Sequence, residues 1–103
     1  MNINIAGWKT CGYFNKAADL GKDTFNGKLN GYFTINVTEY NNRTEYKKWL
    51  IEDTFRNSFN NEKAVEHTSS PFIWLTFKDT SEILYLGGCD DFSEFCGKLK
   101  QGK

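Results

Sequence analysis

The chain has 103 residues, with 13 Lys and Arg residues balanced by 13 Asp and Glu residues, so its formal net charge at pH 7 is zero. A neutral chain has no long-range attraction for a polyanion, so we expect neither nucleic acid nor a membrane surface as a partner. Hydrophobic residues make up 39% and aromatic residues 17%, which is typical of a folded domain and not of a disordered chain. No repeat, linker or composition shift divides the chain, and we predict a single domain over residues 1–103.

The N-terminus carries no basic stretch followed by an apolar core, so we predict no signal peptide and a cytoplasmic location. No apolar run approaches the roughly 18 residues of a membrane-spanning helix. The three cysteines are Cys11, Cys89 and Cys96. Thiols of an intracellular chain are more often reactive, metal-binding or buried than paired in disulfides.

The first half of the chain alternates predicted strands and helices. Residues 2–6 alternate with period two, which predicts a short strand. Residues 12–22 place their apolar side chains on one helical face, and Gly21 is positioned to end that helix. Residues 32–37 alternate again and predict a second strand.

A second helix is predicted from Asn42, where Asn42 and Glu45 have the spacing of a capping box, to about Phe55. Residues 57–67 are polar without a clear period, which predicts a loop that contains the lone His67. The apolar aromatic side chains of Trp49 and Trp74 are expected in the core.

The last third predicts a hairpin and a helix. Residues 72–77 form a nearly continuous apolar run of strand length, and residues 83–86 close the hairpin after a polar turn. Asp91 and Glu94 have capping-box spacing, followed by an apolar stripe that includes Cys96. We therefore expect the last helix to start near Asp91 and to bury Cys96.

The predicted order is β-α-β-α-β-β-α, an α/β domain with a four-stranded mixed sheet flanked by three helices, on both faces of the sheet. One observation fits poorly. A central strand covered on both faces should be apolar on both, yet Asn2 and Asn4 alternate with Ile3 and Ile5.

Cys11 falls at the junction between the first strand and the first helix. Unpaired N–H groups and the helix dipole favour a thiolate at such a position, and Lys9 could add positive potential. A buried cysteine that happens to begin a helix is the alternative. Trp8, in the same loop, either lines a site or packs in the core.

Two further motifs could complete a site with Cys11. The segment Ser69-Ser70-Pro71 directly precedes an apolar strand, and a cis proline there would turn the Ser70 backbone towards a neighbour. Gly87-Gly88-Cys89-Asp90-Asp91 lies between a strand and a helix, where free N–H groups can hold a carboxylate. The alternatives are an ordinary trans proline and a simple helix cap after a glycine turn.

Together the three motifs resemble the glutaredoxin family of the thioredoxin fold. Cys11-Gly12-Tyr13-Phe14 stands at the family's Cys-Pro-Tyr-Cys position, Ser69-Ser70-Pro71 at its Thr-Val-cisPro position, and Gly87 to Asp91 at its glutathione-binding turn. The resemblance implies a thioredoxin-like fold, Cys11 as the catalytic nucleophile, and glutathione as the cofactor. The glutathione-binding residues that it implies are Lys9, Tyr13, Ser69, Ser70, Pro71, Gly88, Cys89 and Asp90.

The resemblance further implies a monothiol oxidoreductase that reduces protein–glutathione mixed disulfides, because Phe14 replaces the second active-site cysteine. Its partners would be glutathione and glutathionylated proteins, and the chain a monomer or weak dimer. Two alternatives stay open. In one, Cys11 of two subunits and two glutathiones ligate a [2Fe–2S] cluster, for which Gly12 is the hint; no other metal site is predicted. In the other, the domain is a non-catalytic glutathione-binding adaptor.

Overall fold

A computed structural model describes residues 2–25, 33–52, 59, 61–77 and 79–101 of the chain. Four strands form one mixed sheet in the order β2-β1-β3-β4; β1 is parallel to β2 and antiparallel to β3, and β3 and β4 form an antiparallel hairpin. The elements are β1 (Asn2–Trp8), α1 (Gly12–Phe25), β2 (Thr34–Tyr40), α2 (Arg43–Glu52), α3 (Glu62–Glu66), β3 (Phe72–Thr76), β4 (Ile83–Gly87) and α4 (Cys89–Gln101). The predicted small α/β domain with a four-stranded mixed sheet is confirmed.

The prediction of three helices, and the element order built on it, are wrong, because the described chain contains a fourth helix, α3, within the predicted loop. Asn61 begins this helix: its side-chain oxygen accepts hydrogen bonds from the N–H groups of Lys63 (2.8 Å) and Ala64 (3.4 Å). Five residues are too few to show a helical period in the sequence. The predicted end of α2 near Phe55 lies outside the described residues.

Gly21 does not end α1, which continues to Phe25. A Cβ atom at Gly21 would lie 3.3 Å from the Phe92 ring and 3.4 Å from Ile5 Cδ1. The glycine therefore serves close packing between α1, α4 and the sheet, a role that the sequence does not distinguish from helix termination.

Helices cover both faces of the sheet, as predicted. On one face, α1 and α4 enclose a buried cluster formed by Ile3, Ile5, Phe14, Ala17, Ile73, Leu75, Phe92 and Cys96. On the other, α2 and α3 enclose Ala6, Tyr46, Leu50, Phe59, Ala64 and Phe72, with Trp49 and Trp74 half-buried against them. No helix in the described ranges is long and apolar enough to cross a membrane.

The polar positions of β1 lie on the α2 face of the sheet, where they are only partly buried. Asn4 is only partly buried, and its amide donates to the carbonyl oxygen of Trp74 (3.3 Å) and to Oγ1 of Thr76 (3.2 Å). The Asn36 amide donates to Asn4 Oδ1 (3.3 Å) from the neighbouring strand. A row of hydrogen-bonded, partly buried polar side chains thus crosses this face of the sheet, which explains why a central strand alternates.

Candidate functional site

Cys11 lies at the start of α1, as the sequence predicts. Its N–H donates to the Trp8 carbonyl (3.0 Å), and its own carbonyl accepts the first hydrogen bond of the helix from Asn15 N (3.1 Å). The Asn15 side chain ties the turn further by donating to the carbonyls of Cys11 (3.0 Å) and Lys9 (3.1 Å). Cys11 therefore has the position of a helix-capping residue, next to the positive end of the helix dipole.

The Ser69-Ser70-Pro71 turn contains a cis peptide bond between Ser70 and Pro71. Two side chains hold its carbonyl groups. The buried Tyr46 hydroxyl donates to the Ser69 carbonyl (2.6 Å), and His67 Nε2 lies 2.9 Å from that oxygen and 3.0 Å from the Pro71 carbonyl oxygen. The turn is thus fixed on both sides of Ser70.

The structure brings Cys11 and this turn together. The Cys11 thiol donates to the Ser70 carbonyl oxygen, with Sγ 3.7 Å from the oxygen. Cys11 is 8% exposed, so its sulfur lies just below the surface. Within the described residues, the buried Ser70 hydroxyl has no hydrogen-bond partner. A Cβ at Gly7 would lie 2.5 Å from this oxygen, so the hydroxyl packs against β1 and is not a ligand contact.

The start of α4 differs from the prediction. The helix begins at Cys89, two residues before the expected start, and Asp91 Oδ2 accepts a hydrogen bond from Gly88 N (3.2 Å). The cap is therefore formed by Gly88 and Asp91, whereas Glu94 forms an exposed ion pair with Lys98 (3.3 Å). Gly87 has φ of +130°, and a Cβ there would lie 2.7 Å from Asp91 Cγ, so this turn requires glycine.

A cavity of about 380 Å³ lies between these elements. Tyr13 borders it from α1, and Ser69 and Ser70 from the cis-proline turn. The start of α4 contributes Gly88, Cys89 and Asp90. Most of the binding residues implied by the sequence therefore line one cavity, and Pro71 is buried next to Ser70. Cys11 is not among the lining residues and adjoins the cavity through its contact with Ser70.

Three residues of this cavity are not among the predicted binding residues: His67, Tyr85 and Asp91, of which Asp91 belongs to the predicted glycine turn. The Tyr85 hydroxyl lies 2.6 Å from His67 Nδ1. Burial, and to a smaller extent the nearby Asp91 carboxylate, raises the pKa of Tyr85 above its usual 10.0. The sequence did contain a signal for this pair. Tyr85 stands among apolar residues in the hairpin, and the hydroxyl of a half-buried tyrosine usually has a hydrogen-bond partner. His67, the only histidine in the sequence, was a candidate for that partner.

Cys89 is buried in the first turn of α4. Burial raises the pKa of its thiol; Lys16 lowers it, while Asp90 and Cys11 raise it further. At neutral pH this side chain is therefore the uncharged thiol, and its backbone N–H group is what it offers to a ligand at the helix start.

The other residues predicted near the site lie elsewhere. Lys9 is exposed in the turn after β1, and its N–H extends the β1–β2 pairing by donating to the Tyr40 carbonyl (2.8 Å). Trp8 packs edge-on against Tyr46, with ring centroids 5.4 Å apart, under the Arg43 guanidinium. Its packing role is thus confirmed. Cys96 is 1% exposed in the core, as predicted.

The described residues include no cluster of three or more metal-ligating side chains. A [2Fe–2S] cluster at Cys11 would need ligands from a second subunit or from glutathione. The described residues do not by themselves form a binding site for such a cluster. The iron–sulfur alternative therefore stays a prediction.

A second groove, of about 510 Å³, lies between the end of β2 and α2. Glu39, Glu45 and Lys48 border it together with Tyr40 and Trp49, whose rings stack with centroids 5.5 Å apart. No cysteine is among its lining residues, whereas the cavity of about 380 Å³ is bordered by Cys89 and by Ser70, which Cys11 contacts. The cavity beside Cys11 is the better candidate site, although it is smaller.

The comparison with known families overturns the glutaredoxin assignment. No curated protein and no solved structure shows significant similarity to the chain, and nothing in the comparisons points to a glutaredoxin or to glutathione. The motifs are short and depart from the glutaredoxin pattern at Gly12 and Phe14, so their likeness does not establish that family. One family model matches residues 2–101, almost the whole chain. The chain belongs to the family described as putative malate dehydrogenase 1B N-terminal domain.

Proposed function

We propose that this domain binds glutathione in the cavity beside Cys11 and exchanges glutathionyl groups at the Cys11 sulfur. The observation that carries the proposal is the convergence of three elements: the Cys11 thiol, the cis Ser70–Pro71 turn and the start of α4. The proposal rests on this geometry and not on family membership.

The backbone of Ser70 supports the peptide-binding part of the proposal. In the described part of the chain its N–H group has no hydrogen-bond partner, and Ser70 lies two residues before the start of β3. An extended cysteinyl residue could pair its main chain with this free position, as an added strand does. Its sulfur would then lie next to Cys11.

The start of α4 supports binding of the charged end of the tripeptide. The N–H groups of Cys89 and Asp90 belong to the first turn, where the helix dipole favours a carboxylate. The exposed Asp90 side chain can attract the ammonium group next to that carboxylate. The ligand would need no basic protein surface, in keeping with the net charge of zero.

The exchange balances without another oxidant or reductant. The Cys11 thiolate attacks the glutathionyl sulfur of a protein–glutathione disulfide, a Cys11–glutathione disulfide forms, and the target leaves as a thiolate that takes up a proton. The thiolate of a second glutathione attacks the glutathionyl sulfur on Cys11, which regenerates Cys11 and releases oxidised glutathione. Phe14 is 1% exposed in the core, so the route uses no second thiol at that position.

A binding-only domain is the second candidate, and the Cys11 contact favours it. The S–H group donates to the Ser70 carbonyl oxygen, a bond that only the protonated thiol can form, and the residue is 8% exposed. In this alternative glutathione occupies the same cavity without a covalent step.

The proposal includes a thioredoxin-like fold with one added helix. The strand order β2-β1-β3-β4, with a cis proline opening β3 beside a cysteine at the start of α1, supports it.

The family description places domains of this kind at the N-terminus of a putative malate dehydrogenase. Two of the three strand pairings here are antiparallel, unlike those of the mostly parallel sheet that binds dinucleotides. We therefore infer an accessory thiol-binding role beside the dehydrogenase.

A turnover assay with a glutathionylated peptide, in the presence of reduced glutathione, tests the proposal. The expected result is release of the peptide thiol faster than without protein for the wild type and for Cys96→Ala, which removes a core thiol outside the cavity. Cys11→Ser should give only the rate of the uncatalysed exchange with reduced glutathione. If all variants are inert but bind S-methylglutathione, the binding-only candidate stands. If the wild type neither turns over nor binds, both candidates are rejected.

A further inference from the structure

His67 contacts both the cis-proline turn and β4. Its Nε2 atom lies 2.9 Å from the Ser69 carbonyl oxygen and 3.0 Å from the Pro71 carbonyl oxygen, and its Nδ1 atom lies 2.6 Å from the Tyr85 hydroxyl. Carbonyl oxygens can only accept hydrogen bonds. Nε2 therefore carries the proton, and this N–H group donates to both carbonyl oxygens in a three-centre hydrogen bond. Nδ1 is then unprotonated and accepts a hydrogen bond from the Tyr85 hydroxyl.

These bonds determine where the Ser70 N–H group points. The Ser69–Ser70 peptide is trans, so its C=O and N–H groups point in opposite directions. The Ser69 oxygen is held by Tyr46 on one side and by His67 on the other, which turns the Ser70 N–H away from both. The second hydrogen bond of His67, to the Pro71 carbonyl oxygen, fixes the Pro71–Phe72 peptide group.

We propose that His67 is a positioning residue: its Nε2–H holds the Ser69 and Pro71 carbonyls so that the Ser70 N–H and C=O present a fixed edge to a peptide ligand beside Cys11. Tyr85 orients the imidazole from β4. His67 also borders the cavity, but its effect on the ligand passes through the backbone of Ser70. The ligand class rests on the proposed function, whereas the positioning of Ser70 does not.

Two substitutions separate the hydrogen bond from the bulk of the ring. In His67→Gln the side-chain NH₂ group can reach the position of Nε2 and donate to both carbonyls. In His67→Asn the shorter amide reaches only the position of Nδ1 and leaves the carbonyls without this donor. Both variants replace the ring by a neutral amide, so a difference between them reports on the donor.

The first readout needs no ligand. Because the chain has one histidine, the ring ¹⁵N shifts of the folded wild-type protein report His67 alone, and we expect the Nε2–H tautomer. The Ser70 amide resonance should move in His67→Asn and stay near its wild-type position in His67→Gln. A wild-type Nδ1–H tautomer, or a Ser70 amide that is unchanged in folded His67→Asn, overturns the proposal.

The second readout is the affinity for S-methylglutathione, which cannot form a disulfide. Loss of one positioning hydrogen bond should weaken binding about tenfold in His67→Asn, while His67→Gln should stay within about threefold of the wild type. Equal losses in the two variants would show that the ring acts by its bulk and would overturn the proposal. If the wild type does not bind the probe, the proposed function fails and the ligand-free readout still decides the role of His67.

Tyr85→Phe is a second variant in case His67→Asn does not fold. It keeps the aromatic ring, which packs 5.7 Å from the His67 ring, and removes only the hydroxyl. We expect the Nε2–H tautomer to persist, because the two carbonyls still require it, and the Ser70 amide to shift as the imidazole loses its support. An unchanged Ser70 amide in this variant contradicts the role assigned to Tyr85 and His67.

Discussion

At the scale of the residue, Gly7 shows how closely the site is packed. A Cβ atom there would overlap the Phe14 ring and would lie 2.5 Å from Ser70 Oγ. We expect Gly7→Ala to destabilise the fold by about 1–3 kcal/mol, because neither the core ring nor the fixed turn can move away easily. Urea unfolding measures this change.

Gly97→Ala is the matched control for that substitution. A Cβ at Gly97, within α4, meets no atom within 4 Å. The alanine should stabilise α4 by about 0.5–1 kcal/mol, because it lowers the entropy lost on folding. Equal effects of the two substitutions would contradict the packing assigned to Gly7.

Tyr85 predicts a pH dependence. Its pKa in the folded state is raised above the value near 10 of an unfolded chain, first by burial and then by Asp91. The folded protein thus holds this proton more tightly, so the contribution to stability is complete below pH about 10 and is lost as the pH rises through the folded-state pKa. The difference in unfolding free energy between wild type and Tyr85→Phe should shrink as the pH rises from about 10 through the folded-state pKa. A constant difference over that range would contradict the assignment.

At the scale of the element, the start of α4 combines a cap with a candidate binding turn. The Asp91 carboxylate accepts a hydrogen bond from the Gly88 N–H group and so caps the helix. The neighbouring Asp90 side chain is exposed to solvent. Asp91→Ala should lower stability by about 1 kcal/mol, because it removes a cap and a negative charge at the helix start. Thermal or urea unfolding checks the loss.

Glu94→Ala, one turn further along the same helix, is the control for Asp91→Ala. It removes only an exposed ion pair with Lys98, for which we expect a loss of less than about 0.5 kcal/mol. A loss as large as that of Asp91→Ala would mean that the cap does not contribute as assigned.

The strands and the longer helices could be predicted because each has a helical period, an alternation or, in β3, a continuous run of apolar residues. α3 could not, because its five residues bury only Ala64 and its start depends on the Asn61 side chain. Gly21 is a second case in which the sequence alone could not decide the local structure. A glycine near a helix end has two explanations, and only the position of Phe92 decides between them.

At the scale of the whole molecule, the site is built where the end of β1 and the start of β3, the two central strands, meet the starts of α1 and α4. The sequence could predict Cys11, the serine-proline turn and the glycine turn, because each is a local motif. It could not predict His67 and Tyr85 as partners, since they are 18 residues apart and meet only through the hairpin. Nor could short motifs establish the family, which is shown by a match over residues 2–101.

The central claim is that the cavity beside Cys11 binds glutathione. A titration of ¹⁵N-labelled protein with reduced glutathione, followed by amide NMR, tests it most directly. We expect saturable shifts at the amides of Ser70, Cys89 and Asp90, the groups assigned to the ligand. Saturable shifts confined to the groove of Glu39 and Trp49, or no shift at millimolar glutathione, would contradict the account.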